Sequence, residues 1–318
     1  METRVRAQRR SEPRTEGVLL AAGASAGLFA LPVFVPAAVP LVVVCPLPLA
    51  LQRLRSSAAS AGGSALAAAA LLAAVLGPGR ALFFALVLAV PGLLMGEAMA
   101  RGRGLLKGCG WAFFHISSLL AATLFFAHEA LMRRALEPFV YYTSAAFQDE
   151  VRKAGLPAEH LEAWMEQFTA LHQAMQVVWP AAYVILAAVL VMVNALLLRA
   201  YLLRRDPGWL DGGELESLRW PLALAVAFVA CGATVVSPLL RPFGYNGLLV
   251  LAFFFALQGL AVVVYYARRL AAPPLLRGAV LLLVLANPWA PQILALLGLF
   301  DQWFNFRKWA DVPPAAEV

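Results

Sequence analysis

Few side chains in this sequence have chemistry within reach, and they lie far apart. His115 stands with Ser117 and Ser118 in one apolar stretch, while Asn194, Asn246, Gln258 and Asn287 each stand alone in or beside others. A polar or ionisable group in such a stretch costs free energy unless a neighbouring helix, a solute or a proton satisfies it, so each is a functional candidate. His115 suits a bound solute or a carried proton, and equally a hydrogen bond to a neighbouring helix. Gln258, an uncharged amide well inside its stretch, suits either helix-to-helix bonding or recognition of a polar solute. His115, Asn194, Asn246 and Gln258 are therefore the candidate solute-facing groups. Glu97, close to Arg101 and Arg103, reads as an interfacial ion pair rather than a proton relay.

Much chemistry is missing from the sequence. There is no chain of carboxylates to relay protons and no HExxH, GxSxG or Walker pattern. The three cysteines, Cys45, Cys109 and Cys231, are far apart in apolar surroundings, with no CxxC pair to suggest zinc or a disulfide framework. The expectation is a non-enzyme with no catalytic residue, no metal and no cofactor.

The elements that must position these groups follow from composition. The 318 residues are 62% hydrophobic and only 14% charged, with a mean hydropathy of +0.77. A water-exposed surface needs more charge than that, and the apolar residues come in long runs, so lipid must cover most of the exterior. The net charge of +7 is scattered between those runs rather than gathered in one patch, which argues against nucleic acid as a partner. A bilayer core of about 30 Å takes about 20 residues of helix. Candidate spans are 17–35, 37–51, 58–76, 81–98, 110–128, 177–198, 221–240, 247–267 and 278–300. The second carries Pro40, Pro46 and Pro48 and is expected to be broken or tilted. The last contains Asn287, Pro288 and Pro291 and is either one kinked span or a hairpin of two short helices. The fold class is thus all-α: a polytopic transmembrane helix bundle of about eight to ten spans. Residues 17–310 form one membrane domain between a basic tail (1–16) and a short C-terminal tail (311–318).

Orientation follows from retention of Lys and Arg on the cytoplasmic side. An inside N-terminus gathers Arg4, Arg6, Arg9, Arg10 and Arg14, then Arg53 and Arg55, then Arg101, Arg103 and Lys107. Arg199, Arg204, Arg205 and Arg219 follow, then Arg268, Arg269 and Arg277. Fewer basic residues fall outside. Arg307 and Lys308 favour a final hairpin, which would return them to the inside. The first apolar segment is longer than a signal peptide core and another span follows at once, so it reads as a retained helix. The whole describes a multi-pass protein of a bacterial inner membrane with its N-terminus in the cytoplasm.

One long polar stretch, 129–176, falls outside the membrane in this topology, as an extracytoplasmic amphipathic helical excursion. Gly155 and Pro157 divide it into two helices, and in the second Leu161, Trp164, Met165, Phe168, Leu171 and Met175 share an apolar face. It serves as a cap on the span ends, a lid, or a partner surface. In the first span, Gly23 and Gly27 overlap a ridge of Ala22, Ala26 and Ala30, and small residues at this spacing let helix backbones approach closely. Ala22, Gly23, Ala26 and Gly27 are the candidate helix-docking residues, either for a neighbouring span or for a second membrane protein subunit. Besides such a subunit, the expected partner is the lipid bilayer.

Towards the C-terminus the residues become specific. Gly244-Tyr245-Asn246-Gly247-Leu248-Leu249, Leu257-Gln258-Gly259-Leu260-Ala261-Val262 and the run from Leu297 through Gly298, Asp301, Gln302, Trp303, Phe304 and Asn305 to Lys308 resemble the YybS-like family of predicted bacterial membrane proteins. That family is domain of unknown function 2232, and Pro91-Gly92-Leu93-Leu94-Met95-Gly96-Glu97 looks similar to it as well. The resemblance extends distantly to the substrate-binding subunits of energy-coupling-factor vitamin transporters, which have fewer spans and in which a small-residue ridge on the first helix docks the coupling subunit. It implies a transporter-like solute-binding membrane subunit. The alternative is a scaffolding membrane protein that assembles an envelope complex. By the residues alone, Trp303, Phe304, Phe306 and Trp309 beside Arg307 and Lys308 form an aromatic, basic interfacial anchor, with Asp301 capping or pairing with that helix start.

Overall fold

The structure, a computed structural model, describes residues 15–142, 144–153, 158–210, 218–269, 287 and 289–310. Among them there are helices and turns and no strand, as backbone groups facing lipid require. The elements in order are α1 (Thr15–Phe34), a 3₁₀ segment (Pro36–Val44), α2 (Pro46–Arg55), α3 (Ala58–Leu76) and α4 (Pro78–Ala100). Then come α5 (Leu105–Tyr142), α6 (Ala145–Lys153), α7 (Ala158–Arg205), α8 (Leu222–Thr234), α9 (Arg241–Arg269), α10 (Ala290–Phe304) and α11 (Phe306–Ala310). Seven stretches among the described residues are long and apolar enough to cross a membrane, so the chain is an all-α polytopic bundle.

The second span is broken, as its prolines require. Its first nine residues are 3₁₀ and its last ten are α. A 3₁₀ turn rises about 2.0 Å per residue against about 1.5 Å for α, so the pair still reaches roughly 33 Å. The helix in the expected span 221–240 is shorter than that range. It ends at Thr234 and Val235–Leu240 turns back into α9. Thirteen residues of α-helix reach only about 20 Å, short of a full crossing. The excursion is not a separate layer of helices at both its ends, because α5 runs on to Tyr142 and α7 begins at Ala158, each continuous with its span. Most of the choice between one kinked span and a hairpin at 278–300 lies outside the described residues; within them, α10 begins at Ala290.

The described residues group into two compact units. The first comprises residues 15–122 together with 186–210. There Ala22 and Ala26 of α1, Leu49 of α2, Ala68 and Leu72 of α3 and Phe84 of α4 share one core. Leu54, Met99, Leu105, Leu198 and Leu202 gather the ends of α2, α4, α5 and α7 in another. Glycine makes the closest approach: a Cβ at Gly92 or Gly96 would run into the backbone of Pro46 or Ala50. At the end of α4, Gly102 takes φ +70°, donates to Met99 O (2.9 Å), and lets Arg103 N reach Ala98 O (2.9 Å). That is a Schellman closure, which a residue with a Cβ adopts only under strain.

The second unit comprises the described residues between 123 and 185 and between 218 and 310. Its core is Ala225, Leu251 and Phe255 with Ala295 and Leu299. Here α9 and α10 cross with backbone against backbone. A Cβ at Gly259 would overlap Leu294 O, and one at Gly298 would overlap Phe255 O and lie 2.7 Å from Gly259 N. Outside both cores the surface is apolar: Leu20 is 73% exposed and Phe114 74%. Large apolar side chains over so much of the exterior match lipid and not water.

Candidate functional site

Proline governs where the intramembrane polar groups go. A proline carries no N–H, so the carbonyl that would have bonded it is left free, and in a bilayer no water replaces the bond. The four candidate solute-facing side chains all lie on backbone groups at or beside such breaks.

In the first unit, α4 contains a π stretch, Phe84–Ala89, closed by Val90 N bonding back to Ala85 O. In that i→i+5 pattern the partner of Leu86 O is Pro91, which has no donor; His115 Nε2 lies 2.9 Å from Leu86 O instead. Likewise Val43 O, three residues before Pro46 at the end of the 3₁₀ segment, accepts from Asn194 Nδ2 at 2.7 Å. The same Nδ2 donates to Leu190 O on its own helix at 2.9 Å. Asn194 is fully buried. Its Oδ1, and Ser117 Oγ on α5, are the buried side-chain oxygens among the described residues without a hydrogen-bond partner.

In the second unit, Pro180 interrupts α7. Asn246 of α9 inserts its amide there, Oδ1 accepting from Ala181 N (2.8 Å) and Nδ2 donating to Val177 O (2.8 Å). Ala181 and Val177 would bond each other in an unbroken helix, so the side chain replaces a rung of the ladder. Trp220, just before Pro221, lies outside the helix that begins at Leu222, and a residue preceding proline is disfavoured in a helix. Both its backbone groups are held: Gln258 Oε1 accepts from Trp220 N (3.0 Å) and Gln302 Nε2 donates to Trp220 O (3.0 Å).

This clamp belongs to a larger buried network. Gln302 Nε2 also donates to Gln258 Oε1 (3.0 Å), and Gln258 Nε2 donates to Asp301 Oδ2 (2.9 Å). Asp301, fully buried, receives Phe306 N on Oδ1 (3.0 Å) and pairs with Arg307 through Oδ2 (3.3 Å). Arg307 donates in turn to Leu218 O (2.8 Å), and Arg219 to Gln302 O (2.9 Å). Asn305, at φ +45°, makes the corner that brings Phe306 under the carboxylate. Burial holds the Arg307 guanidinium below its usual pKa against the opposing pull of the Asp301 charge; at neutral pH it stays a cation.

His115 and Asn194 thus lie in the first unit and Asn246 and Gln258 in the second, and the four share no hydrogen-bond partner. Glu97 is an ion-pair centre, bonded to Arg53 Nε and, at 2.6 Å, to Arg101 Nε. Asp301 both caps α11 and pairs with Arg307. The ridge on α1 divides. Ala22 and Ala26 are buried in the core, whereas a Cβ at Gly23 or Gly27 would meet nothing within 4 Å. Sequence reasoning missed Gln302, Trp220 and Arg219. The available signal was that Gly298, Asp301 and Gln302 share one face of α10, where a glycine beside two polar residues marks the packed side. Among the described residues no three His, Cys, Asp or Glu side chains gather as a metal site would need.

Residues 24–302 match the model of a family described as "Predicted membrane protein (DUF2232)". No curated protein and no solved structure matches the chain.

Proposed function

The chain belongs to that family of predicted membrane proteins, and from this premise we propose that it is a non-catalytic scaffold of the bacterial inner membrane that holds a second membrane protein subunit. One observation carries the reading. His115, Asn194, Asn246 and Gln258, the polar side chains best placed to hold a solute, are all bonded to backbone groups of the bundle itself. A solute would have to displace those bonds and leave a helix break unsatisfied in lipid. Gly23 and Gly27 supply the docking face. Glycine weakens a helix by about 1 kcal/mol relative to alanine, a cost that close packing offsets at Gly92, Gly96, Gly259 and Gly298 but that no described residue offsets at these two. A partner helix seated there offsets it. The N-terminus lies in the cytoplasm in this reading, with the basic loops.

A second reading, a solute-binding subunit, draws support from the two unpartnered buried oxygens, Asn194 Oδ1 and Ser117 Oγ. Purification of the full chain in mild detergent, with mass spectrometry for proteins and small molecules, separates the two. A stoichiometric protein partner, released by Gly23→Leu with Gly27→Leu while the bundle still melts cooperatively, supports the scaffold. A bound polar solute with no partner overturns it.

A further inference from the structure

The ends of α2, α4, α5 and α7 that meet around Leu54, Met99, Leu105, Leu198 and Leu202 carry a concentration of cations. Several are already engaged. Arg53 and Arg101 pair with Glu97, and Arg55 donates to the Tyr201 hydroxyl while lying 5.5 Å over its ring. Arg103 stands 5.2 Å over the Trp111 ring, exposed on its other side. Among the described residues, the acidic side chains at this end are Glu16, exposed at the start of α1 where Gly17 lies against Gln52, Glu97, already paired, and Asp206, which accepts from Trp209 Nε1 at 3.0 Å. Lys107, Arg204 and Arg205 are exposed, and none has an acidic partner among the described residues.

We propose that this end of the first unit binds the phosphate headgroups of anionic lipids, with Lys107, Arg204 and Arg205 making the contact and Trp111 holding Arg103 beside them. The surface has the two parts a lipid has. Leu196 and Leu203, 45% and 50% exposed, stand on the same last turns of α7 as Arg204 and Arg205, so hydrocarbon contact and positive charge adjoin. An acidic soluble protein would match the cations but not those leucines. Trp111 and Trp209 fix the depth, since indoles settle at the headgroup level. Each cation close to an anionic membrane surface strengthens binding by about fivefold. The inference stands whether the bundle serves as a scaffold or a solute carrier.

The test uses the full chain in neutral detergent, with energy transfer from its tryptophans to a dansyl-labelled phosphatidylglycerol. The expected result is saturable binding, tighter than for labelled phosphatidylcholine. It should weaken by about a hundredfold in the triple variant Lys107→Gln, Arg204→Gln, Arg205→Gln, while Arg80→Gln, at the other end of α4 from Arg101, leaves it unchanged. The melting temperature without lipid, equal in wild type and triple variant, shows that the bundle is intact. Equal binding of the two lipids, an unchanged affinity in the triple variant, or an equal loss in Arg80→Gln overturns the proposal. So does competition by polyglutamate or by millimolar inorganic phosphate as strong as by unlabelled phosphatidylglycerol.

Discussion

Two pairs of glycines, one in each unit, show the same residue doing opposite things. Gly259 and Gly298 bring α9 and α10 so close that either added Cβ would overlap a backbone carbonyl. Gly23 and Gly27 sit one turn apart on α1, beside a buried alanine face, and an added Cβ at either would meet no atom within 4 Å. Residue type alone does not distinguish them; what differs is whether a described helix packs against the glycine. At the first pair the tight crossing also presses Gln258, Asp301 and Gln302 into one dry network. At the second no described residue lies against the face.

The contrast is broken most directly by enlarging one glycine from each pair. Gly298→Leu should cost the second unit more than about 3 kcal/mol, because the atom in its way is backbone and has no rotamer to move into. Gly23→Leu should leave the melting temperature in detergent unchanged or slightly higher. Thermal melting followed by circular dichroism reads both, and equal losses would remove the distinction between the pairs.

Next in size is Asp301→Ala. Removing the carboxylate leaves Arg307 half-enclosed without its counter-charge and Phe306 N without an acceptor, a loss of about 3 kcal/mol. Gln302→Leu in the Asp301→Ala background should add less than it does alone, because the two act through one network; a double-mutant cycle measures that coupling.

The smallest expected effect separates the two asparagines. Asn246→Leu removes both bonds that bridge the Pro180 break, about 1.5 kcal/mol by chemical denaturation in mixed micelles. Asn194→Leu should cost less, about 0.5 kcal/mol, since it frees Val43 O but also deletes the unpartnered Oδ1. An Asn194 variant more damaging than the Asn246 one would mean that Oδ1 has a partner of its own, such as a solute, and would favour the carrier reading.

Much of this molecule is legible along the chain. Twenty-residue apolar runs read as spans because hydrocarbon thickness and helical rise are fixed, and Pro40, Pro46 and Pro48 mark the break in the second because proline lacks a donor. The role of Asp301 at the start of α11 is a local matter of five residues, and it too could be read. The exact end of the seventh span could not. Pro238 argues against a helix through Val235–Leu240, but the end of α8 at Thr234 goes with Gly244 and Gly247 fitting closely against Cys231, where the chain turns back.

The sequence by itself determined the medium, the helical class and which polar groups needed a partner, since each follows from a residue's own chemistry and that of its near neighbours. Only the tertiary structure decided who the partners are. Asn194 reaches Val43, Asn246 reaches Ala181 and Gln258 reaches Trp220 across long stretches of chain. An amide bonds a backbone carbonyl as readily as a solute, so its type cannot choose between them. The choice falls to which broken helix the packing brings alongside.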